Sequence, residues 1–421
     1  MVILRLNGLH VGSAVQHNAV MSSFTKADPA PARPAGTSLP LPLGLLAAAA
    51  FLSAAGARVM DPLLHVVASD FATTVPAVSI VVAAYTLPYG ICQIFLGPLG
   101  DRFGKLRVIA IALVAYTLTT GACAFASGLP MLTVLRMLAG GASAAIIPIG
   151  MAMIADAVSY QDRQVTLSRF LNGIVLAQIM AGPIGGVFGQ YLGWRGVFVL
   201  LAAGAMVVSA LLILRLKRFP DRRGSAASFS MDNYATLLRP GLARVILLAA
   251  MIDGMVLIGS FPFMAPFMHE AFGLPYAAVG GVLACFGLGA LIYTRLARRL
   301  VPLLGEHGMV IAGAVVMALG VVVGMATPIW QGFMLAQVMM GLGFFLLHGV
   351  MQARATEMLP RARATAVASF AFTLFLGQSL GALAMGALIA HLGYRIAFLL
   401  DAAAILALGS WLFWLLRRPA R

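Results

Sequence analysis

Charge is what this chain lacks. Asp and Glu number 13 among 421 residues, and charged residues of both signs make up 10%, against about 25% in a soluble domain. A surface that poor in charge cannot be solvated all round, which excludes a freely soluble globular fold. Cysteine is scarce too. Cys92, Cys123 and Cys285 each lie inside an apolar run, with no metal-ligand spacing and no extracellular loop to staple. Buried packing accounts for them, and zinc or disulfide chemistry is set aside. No His/Asp/Glu cluster has metal-site spacing and no phosphate-binding loop joins soluble elements. No metal site and no enzyme is expected; a membrane-embedded enzyme or sensor stands only as a remote alternative.

What the chain has is hydrocarbon. Hydrophobic residues make up 61%, and the mean hydropathy is +0.98. A spanning helix takes about 20 residues. Apolar segments run at about 42–64, 76–98, 106–126, 130–155, 167–190 and 196–216. They resume at about 243–265, 277–299, 308–328, 331–353, 364–389 and 395–416. The expected fold class is therefore an all-α polytopic membrane protein with twelve transmembrane helices in two six-helix bundles.

Lys and Arg number 28, and the net charge is +15. In a soluble protein that excess would suggest nucleic acid, but these residues sit at the ends of apolar runs, where orientation in a bilayer accounts for them. The lipid bilayer, and no nucleic acid, is the expected partner. With both termini cytoplasmic, only Arg58, Arg136, Arg195 and Arg395 fall outside the positive side. The localisation that follows is a multi-pass protein of a bacterial inner membrane.

The expected organisation has a disordered cytoplasmic leader at 1–41, an N-terminal bundle at 42–216 and a cytoplasmic linker at 217–242. A C-terminal bundle at 243–416 and a tail at 417–421 complete it. The leader is polar and Pro/Ala-rich without the apolar core of a signal peptide, and Met21-Ser22-Ser23 offers a second start beside Met1. The halves echo each other: Gly193-Trp194-Arg195-Gly196-Val197-Phe198 recurs 200 residues on as Gly393-Tyr394-Arg395-Ile396-Ala397-Phe398. At the same offset Arg163 meets Arg363, Gln178 meets Gln378, and Gly186 meets Gly386. A duplicated unit of this kind places a binding site between the halves near the bilayer midplane.

Between the second and third spans lies Gly97-Pro98-Leu99-Gly100-Asp101-Arg102-Phe103-Gly104-Lys105-Leu106-Arg107. Its glycines allow a tight turn, and Asp101 can accept from a helix N-terminus or a neighbouring arginine. The fifth span carries Gln178 and Gly182-Pro183-Ile184-Gly185-Gly186, where Pro183 removes a helical hydrogen bond and the glycines permit close contact with a helix of the other half. These motifs, with the six-plus-six layout, resemble the major facilitator superfamily, and within it the twelve-span drug:proton antiporter group that includes bicyclomycin-resistance-type exporters.

The family loop pattern G-x-L-x-D-R-x-G-R-K/R is matched at Gly97, Leu99, Asp101, Arg102, Gly104 and Lys105; Leu106 departs from it, and Arg107 stands next in line. The resemblance implies that this loop latches the halves in the outward-open state. The corresponding second-half loop is expected at Arg295-Leu296-Ala297-Arg298-Arg299, without an acidic member. The fifth span is similar to the family's antiporter signature except at Val187, which implies export. Arg136 and Gly140 fit the fourth-span pattern R-x-x-Q-G, with Ala139 in place of Gln and Gln337 at the matching place in the second half. In the family's first-span pattern D-x-x-x-P the acidic place holds Arg58, and the carboxylate sits at Asp61, directly before Pro62.

An intramembrane ionisable residue is a functional candidate by default. Arg58 and Asp61 are i,i+3 neighbours that can pair; Arg136 competes for the same carboxylate, or Asp61 caps the outer end of the span. Asp253 is the sharpest candidate. Counted from Arg244 it lies about 13 Å into a slab about 30 Å thick, with no basic residue close by on its own span. A carboxylate held from water is costly to ionise, which suits a group that loads and releases a proton; a neutral carboxyl in a polar helix contact is the other reading. Tyr85, Tyr89 and Gln93 share a helical face that lines a cavity or bonds another helix. Gln178, Gln378 and His348 stand as weaker candidates of the same kind. Asp156 and Glu357, at span ends, are expected to be solvated or to pair with Arg163 and Arg354.

The resemblance implies a secondary transporter, a monomer that needs no cofactor beyond a proton gradient. The favoured reading is proton-coupled efflux of a small amphipathic molecule by alternating access. The rival is a proton symporter importing an organic anion held by Arg58 and Arg136.

Overall fold

The computed structural model describes residues 41–216, 231–239, 241–359 and 363–417. The leader, most of the linker and the last residues of the tail lie outside them. Every backbone polar group in hydrocarbon must find a partner within its own segment, so a chain this apolar forms helices. Among the described residues there is no strand.

Nine helical segments among the described residues are long and apolar enough to cross a bilayer. Three of the underlying helices, Tyr160–Arg215, Tyr276–Ala326 and Arg363–Leu416, have 56, 51 and 54 residues. At 1.5 Å per residue each would run about 80 Å, against a slab of about 30 Å. Each instead reverses at one glycine in the left-handed region: Gly193 (φ 69°), Gly305 (φ 60°) and Gly393 (φ 76°). A Cβ would strain the backbone there. Each long helix is thus a pair of crossings, and the nine segments supply twelve.

The order of spans is first Leu43–Asp70, second Val75–Leu96, third Lys105–Cys123 and fourth Leu129–Ala157. The fifth and sixth share Tyr160–Arg215. A short helix, Met231–Leu237, follows in the linker. The seventh is Gly241–Phe272, the eighth and ninth share Tyr276–Ala326, and the tenth is Trp330–Ala355. The eleventh and twelfth share Arg363–Leu416.

The duplication is visible in detail. The first span breaks into a 3-10 turn at Asp61–Leu63, and the seventh does so at Phe261–Phe263, 200 residues on. A Cβ on Gly140 would meet the Tyr85 carbonyl, and one on Gly341 would meet the Phe286 carbonyl, so the fourth span seats on the second as the tenth seats on the eighth. The second-half counterpart of Gly104 (φ 96°) is Gly305. Arg295, Arg298 and Arg299, expected in that loop, lie instead on the helix that continues to the turn. A helix does not stop where hydrocarbon ends, because charged side chains at the interface tolerate helical backbone.

The halves close on each other at one end. Ala277 N–H donates to Gln190 Oε1 at 3.1 Å, and His65 packs on His269 with ring centroids 4.8 Å apart. A Cβ on Gly386 would stand 2.8 Å from Ser79 Oγ. This closed end also carries Asp70, which bonds Arg195 at 2.6 Å. The opposite end carries Lys105, Arg107, Arg163, Arg295, Arg298, Arg299 and Arg354.

Candidate functional site

A cavity of about 350 Å³ lies between the halves. The first, second, fourth and fifth spans wall it on one side, and the seventh, eighth, tenth and eleventh on the other. It reaches toward the opposite end of the molecule at Gln352, within a turn of the helix end at Ala355. Its walls are aromatic. Tyr85 and Tyr89 stack at 6.2 Å, Tyr89 meets Phe375 edge-on at 4.7 Å, and Phe344 stacks on His348 at 4.7 Å. Tyr85, Tyr89, Gln178 and Gln378 line it, and Gln93 does not. Gln93 lies eight residues beyond Tyr85, and at 100° per residue that places it about 80° round the helix.

Arg58 ends the first helix, and Asp61 opens the 3-10 turn that follows. Arg58 Nη1 lies 3.6 Å from Asp61 Oδ2, too long for a hydrogen bond. Arg58 Nε donates to Gln178 Oε1 at 3.3 Å, and its guanidinium lies 4.4 Å from the centroid of the Phe261 ring on the other half. Phe261 is the repeat counterpart of Asp61, so Arg58 meets both copies of one position. Asp61 Oδ1 and Arg58 Nη1 are buried and find no hydrogen-bond partner among the described residues.

Of the two arginines expected to compete for Asp61, Arg58 lies in ion-pair range, and the charge of Arg136 acts on that carboxylate only from further away. Arg136, 1% exposed, donates through Nη1 to the Gly56 carbonyl at 3.0 Å and lies over the Tyr85 ring at 4.1 Å. Its Nε and Nη2 are buried without partners among the described residues. Gln337 reaches the same way into the seventh span, donating to Met264 Sδ at 3.2 Å. Each residue ties the fourth span of its half to the first.

Asp253 is the last residue of the helix Gly241–Asp253, immediately before a π-helical turn at Gly254–Ile258. Such wider turns collect at functional sites. Its side chain is fully buried, and Oδ2 lies 2.8 Å from Nδ1 of His348 on the tenth span, so a basic partner faces it from a different helix. Oδ1 has no hydrogen-bond partner among the described residues. His348 lines the cavity and Asp253 stands behind it. Residues 95 apart in sequence give no local sign of such a pair; the only hint was a histidine inside an apolar span. A half-buried acid that no sequence motif marks, Asp401 on the twelfth span, accepts from Ser260 Oγ at 2.8 Å.

The fifth-span glycines meet the eighth span of the other half. A Cβ on Gly182 would stand 2.8 Å from the Gly280 carbonyl oxygen, and one on Gly186 would strike the Tyr276 carbonyl. Pro183 lies between them inside the helix. In the loop, Gly97 and Asp101 continue the helix Ile80–Phe103, and the surroundings of their side chains lie outside what the structure describes. Arg102 stands near the Phe103 ring at 5.2 Å. Gly104 makes the turn, and Lys105 Nζ donates to Asp156 Oδ2 at 2.7 Å, at the end of the fourth span of its own half. Asp156 and Glu357, expected to be solvated or paired, are both exposed. Asp156 takes Lys105, with Arg163 donating to the Ala155 carbonyl at 2.7 Å, and Arg354 takes Glu306 in place of Glu357.

The sequence profile of the Major Facilitator Superfamily matches residues 46–305 and 246–421. An uncharacterized MFS-type transporter, YceJ, of Bacillus subtilis (strain 168) is 24% identical over 76% of this chain and 82% of its own. A chloramphenicol resistance protein of Streptomyces lividans is 25% identical over 62% of this chain and 67% of its own. A probable actinorhodin transporter of Streptomyces coelicolor is 28% identical over 43% of this chain, which spans only 32% of that protein. Among solved structures, that of a D-xylose-proton symporter superposes with a TM-score of 0.72 over 88% of this chain and 96% of its own, at 16% identity, a likeness of fold alone.

Proposed function

The chain belongs to the Major Facilitator Superfamily, and from that premise we propose that this multi-pass membrane protein exports a small amphipathic molecule in exchange for protons. The observation that carries the proposal is the buried Asp253 behind His348 at the cavity wall. A carboxylate in that position changes charge when a proton arrives, and the cavity-facing imidazole senses the change. A proton on Asp253 weakens the hold on His348 and loosens the substrate beside it. The twelve crossings and the cavity between two repeats suit alternating access.

Orientation and direction have separate supports. The cation-rich end that carries Lys105, Arg163 and Arg354 is the cytoplasmic one by the positive-inside bias, so the cavity reaches toward the cytoplasm of a bacterial inner membrane, with both termini on that side. The glycine seam of Gly182 and Gly186 resembles that of exporters, and one relative is a chloramphenicol resistance protein. The test is a screen of amphipathic antibiotics and dyes in everted vesicles with an acidic lumen. A substrate should accumulate in the lumen while protons leave. Substrate that leaves the lumen together with protons would establish symport in its place.

A further inference from the structure

We infer that the central cavity selects planar aromatic anions, and that Arg58 is the side chain that holds the negative group. The inference rests on the cavity being the transport site, as proposed above, and adds the chemical class of its ligand.

The first support is which charges face the cavity. Arg58 and His348 line it, and among the described residues no Asp or Glu does. Both nearby acids stand behind a base: Asp61, its side chain 3% exposed, behind Arg58, and Asp253, at 0%, behind His348. A cationic ligand would therefore meet a guanidinium or an imidazole before it met a carboxylate. The amides of Gln178, Gln352 and Gln378 add further N–H donors to the wall.

The second support is the charge balance of the first half. Two buried guanidiniums, Arg58 and Arg136, share one buried carboxylate, Asp61, and only Arg58 lies within 4.0 Å of it. One positive charge is left without a counter-charge in a region poor in water, which is costly unless something balances it. Arg58 makes no hydrogen bond to Asp61: that contact is long, and the hydrogen bond it does make runs from Nε to Gln178, another residue of the cavity wall. An anion in the cavity completes the balance, and a planar guanidinium matches a carboxylate in a fork geometry.

The third support is shape. Tyr89 lines one wall, its ring backed at 15° by the fully buried Tyr85, and Phe286, Phe344 and Phe375 stand among the other wall residues. Flat apolar faces favour offset or edge contacts with a flat aromatic ligand. A volume of about 350 Å³ falls at the lower end of ligand pockets, about 300–1,000 Å³, and has room for a small fused-ring acid.

The test uses the full chain in lipid nanodiscs and equilibrium dialysis against three probes of matched size: 2-naphthoate, 2-naphthylmethylammonium and 2-naphthalenemethanol. The anion should bind at least about tenfold more tightly than the cation. R58Q should remove that preference and leave the neutral alcohol unchanged, which reports an intact cavity. R58K should keep part of the preference. D61N, which retains Arg58 and removes its competitor, should bind the anion as tightly as the parent or more so. A cation bound as tightly as the anion, an R58Q variant with undiminished anion affinity, or no saturable binding of 2-naphthoate would each overturn the inference. Dialysis involves no gradient and no direction, so these results stand apart from the vesicle test of export.

Discussion

His348 Nδ1 lies 2.8 Å from Asp253 Oδ2, joining the tenth span to the seventh at the point where the seventh leaves α-helical geometry. One member of the pair faces the cavity and the other has no exposed surface. If Asp253 carries the proton, D253N should stop substrate-driven pH changes in everted vesicles. Exchange of labelled for unlabelled substrate needs no net proton movement and should persist. The expected split is a loss of coupled flux of about tenfold or more with exchange changed by less. Coupled flux equal to that of the parent would remove Asp253 from the mechanism.

The spans and the doubling of the chain were legible because both depend on local sequence: apolar length sets a crossing, and the 200-residue echo needs no structure. The functional charges were legible one at a time. Asp253 could be placed by counting residues, but its partner could not, since His348 reaches it only through packing of the seventh and tenth spans. Arg136 fails in the opposite sense. Sequence offered it Asp61, and the fold gives it the Gly56 carbonyl and the Tyr85 face. A buried cation can be met by backbone oxygen and an aromatic ring, and neither leaves a mark in the sequence.

That arrangement makes the two arginines unequal as rescuers of Asp61. D61N leaves Arg58 without its carboxylate, and breaking a buried pair from one side costs about 3–5 kcal/mol. Adding R58Q should recover much of the loss, because the excess charge goes with it. Adding R136Q should recover less, because Arg136 ties the fourth span to the first and reaches Asp61 only through longer-range charge. Thermal unfolding followed by tryptophan fluorescence in detergent distinguishes these outcomes. Equal rescue by either substitution would place Arg136 in the pair after all.

The seam of the fifth and eighth spans should respond to a single methyl group. A Cβ on Gly186 meets the Tyr276 carbonyl, which is backbone and cannot rotate aside. G186A should therefore disfavour the closed end and raise the share of molecules open there. Leu283, buried beside the small void that Arg58 and Asp61 border, can report this as L283C in a background without Cys92, Cys123 and Cys285. Its labelling by a membrane-impermeant maleimide from the closed side should quicken by about tenfold, corresponding to about 1.4 kcal/mol of population shift. An unchanged rate would mean that the seam is packing alone and takes no part in gating.

The second and eleventh spans offer a lock. Thr86 Oγ1 and Ser379 Oγ lie 2.8 Å apart across the two halves, both in buried positions. One turn further along, a Cβ on Gly90 would stand 2.8 Å from Phe375 Cβ, so the helices are in close contact there. Side-chain ends this near suit a disulfide, whose sulfurs are bonded at about 2.05 Å. T86C with S379C, again without the native cysteines, should cross-link under mild oxidant and lose two reactive thiols by mass spectrometry. Alternating access requires these spans to separate when the closed end opens. Transport should therefore stop on oxidation and return with dithiothreitol, while each single variant transports regardless of redox state. A cross-linked protein that still transports at the reduced rate would show that the second and eleventh spans stay together through the cycle, and that opening happens elsewhere, at the seam of the fifth and eighth.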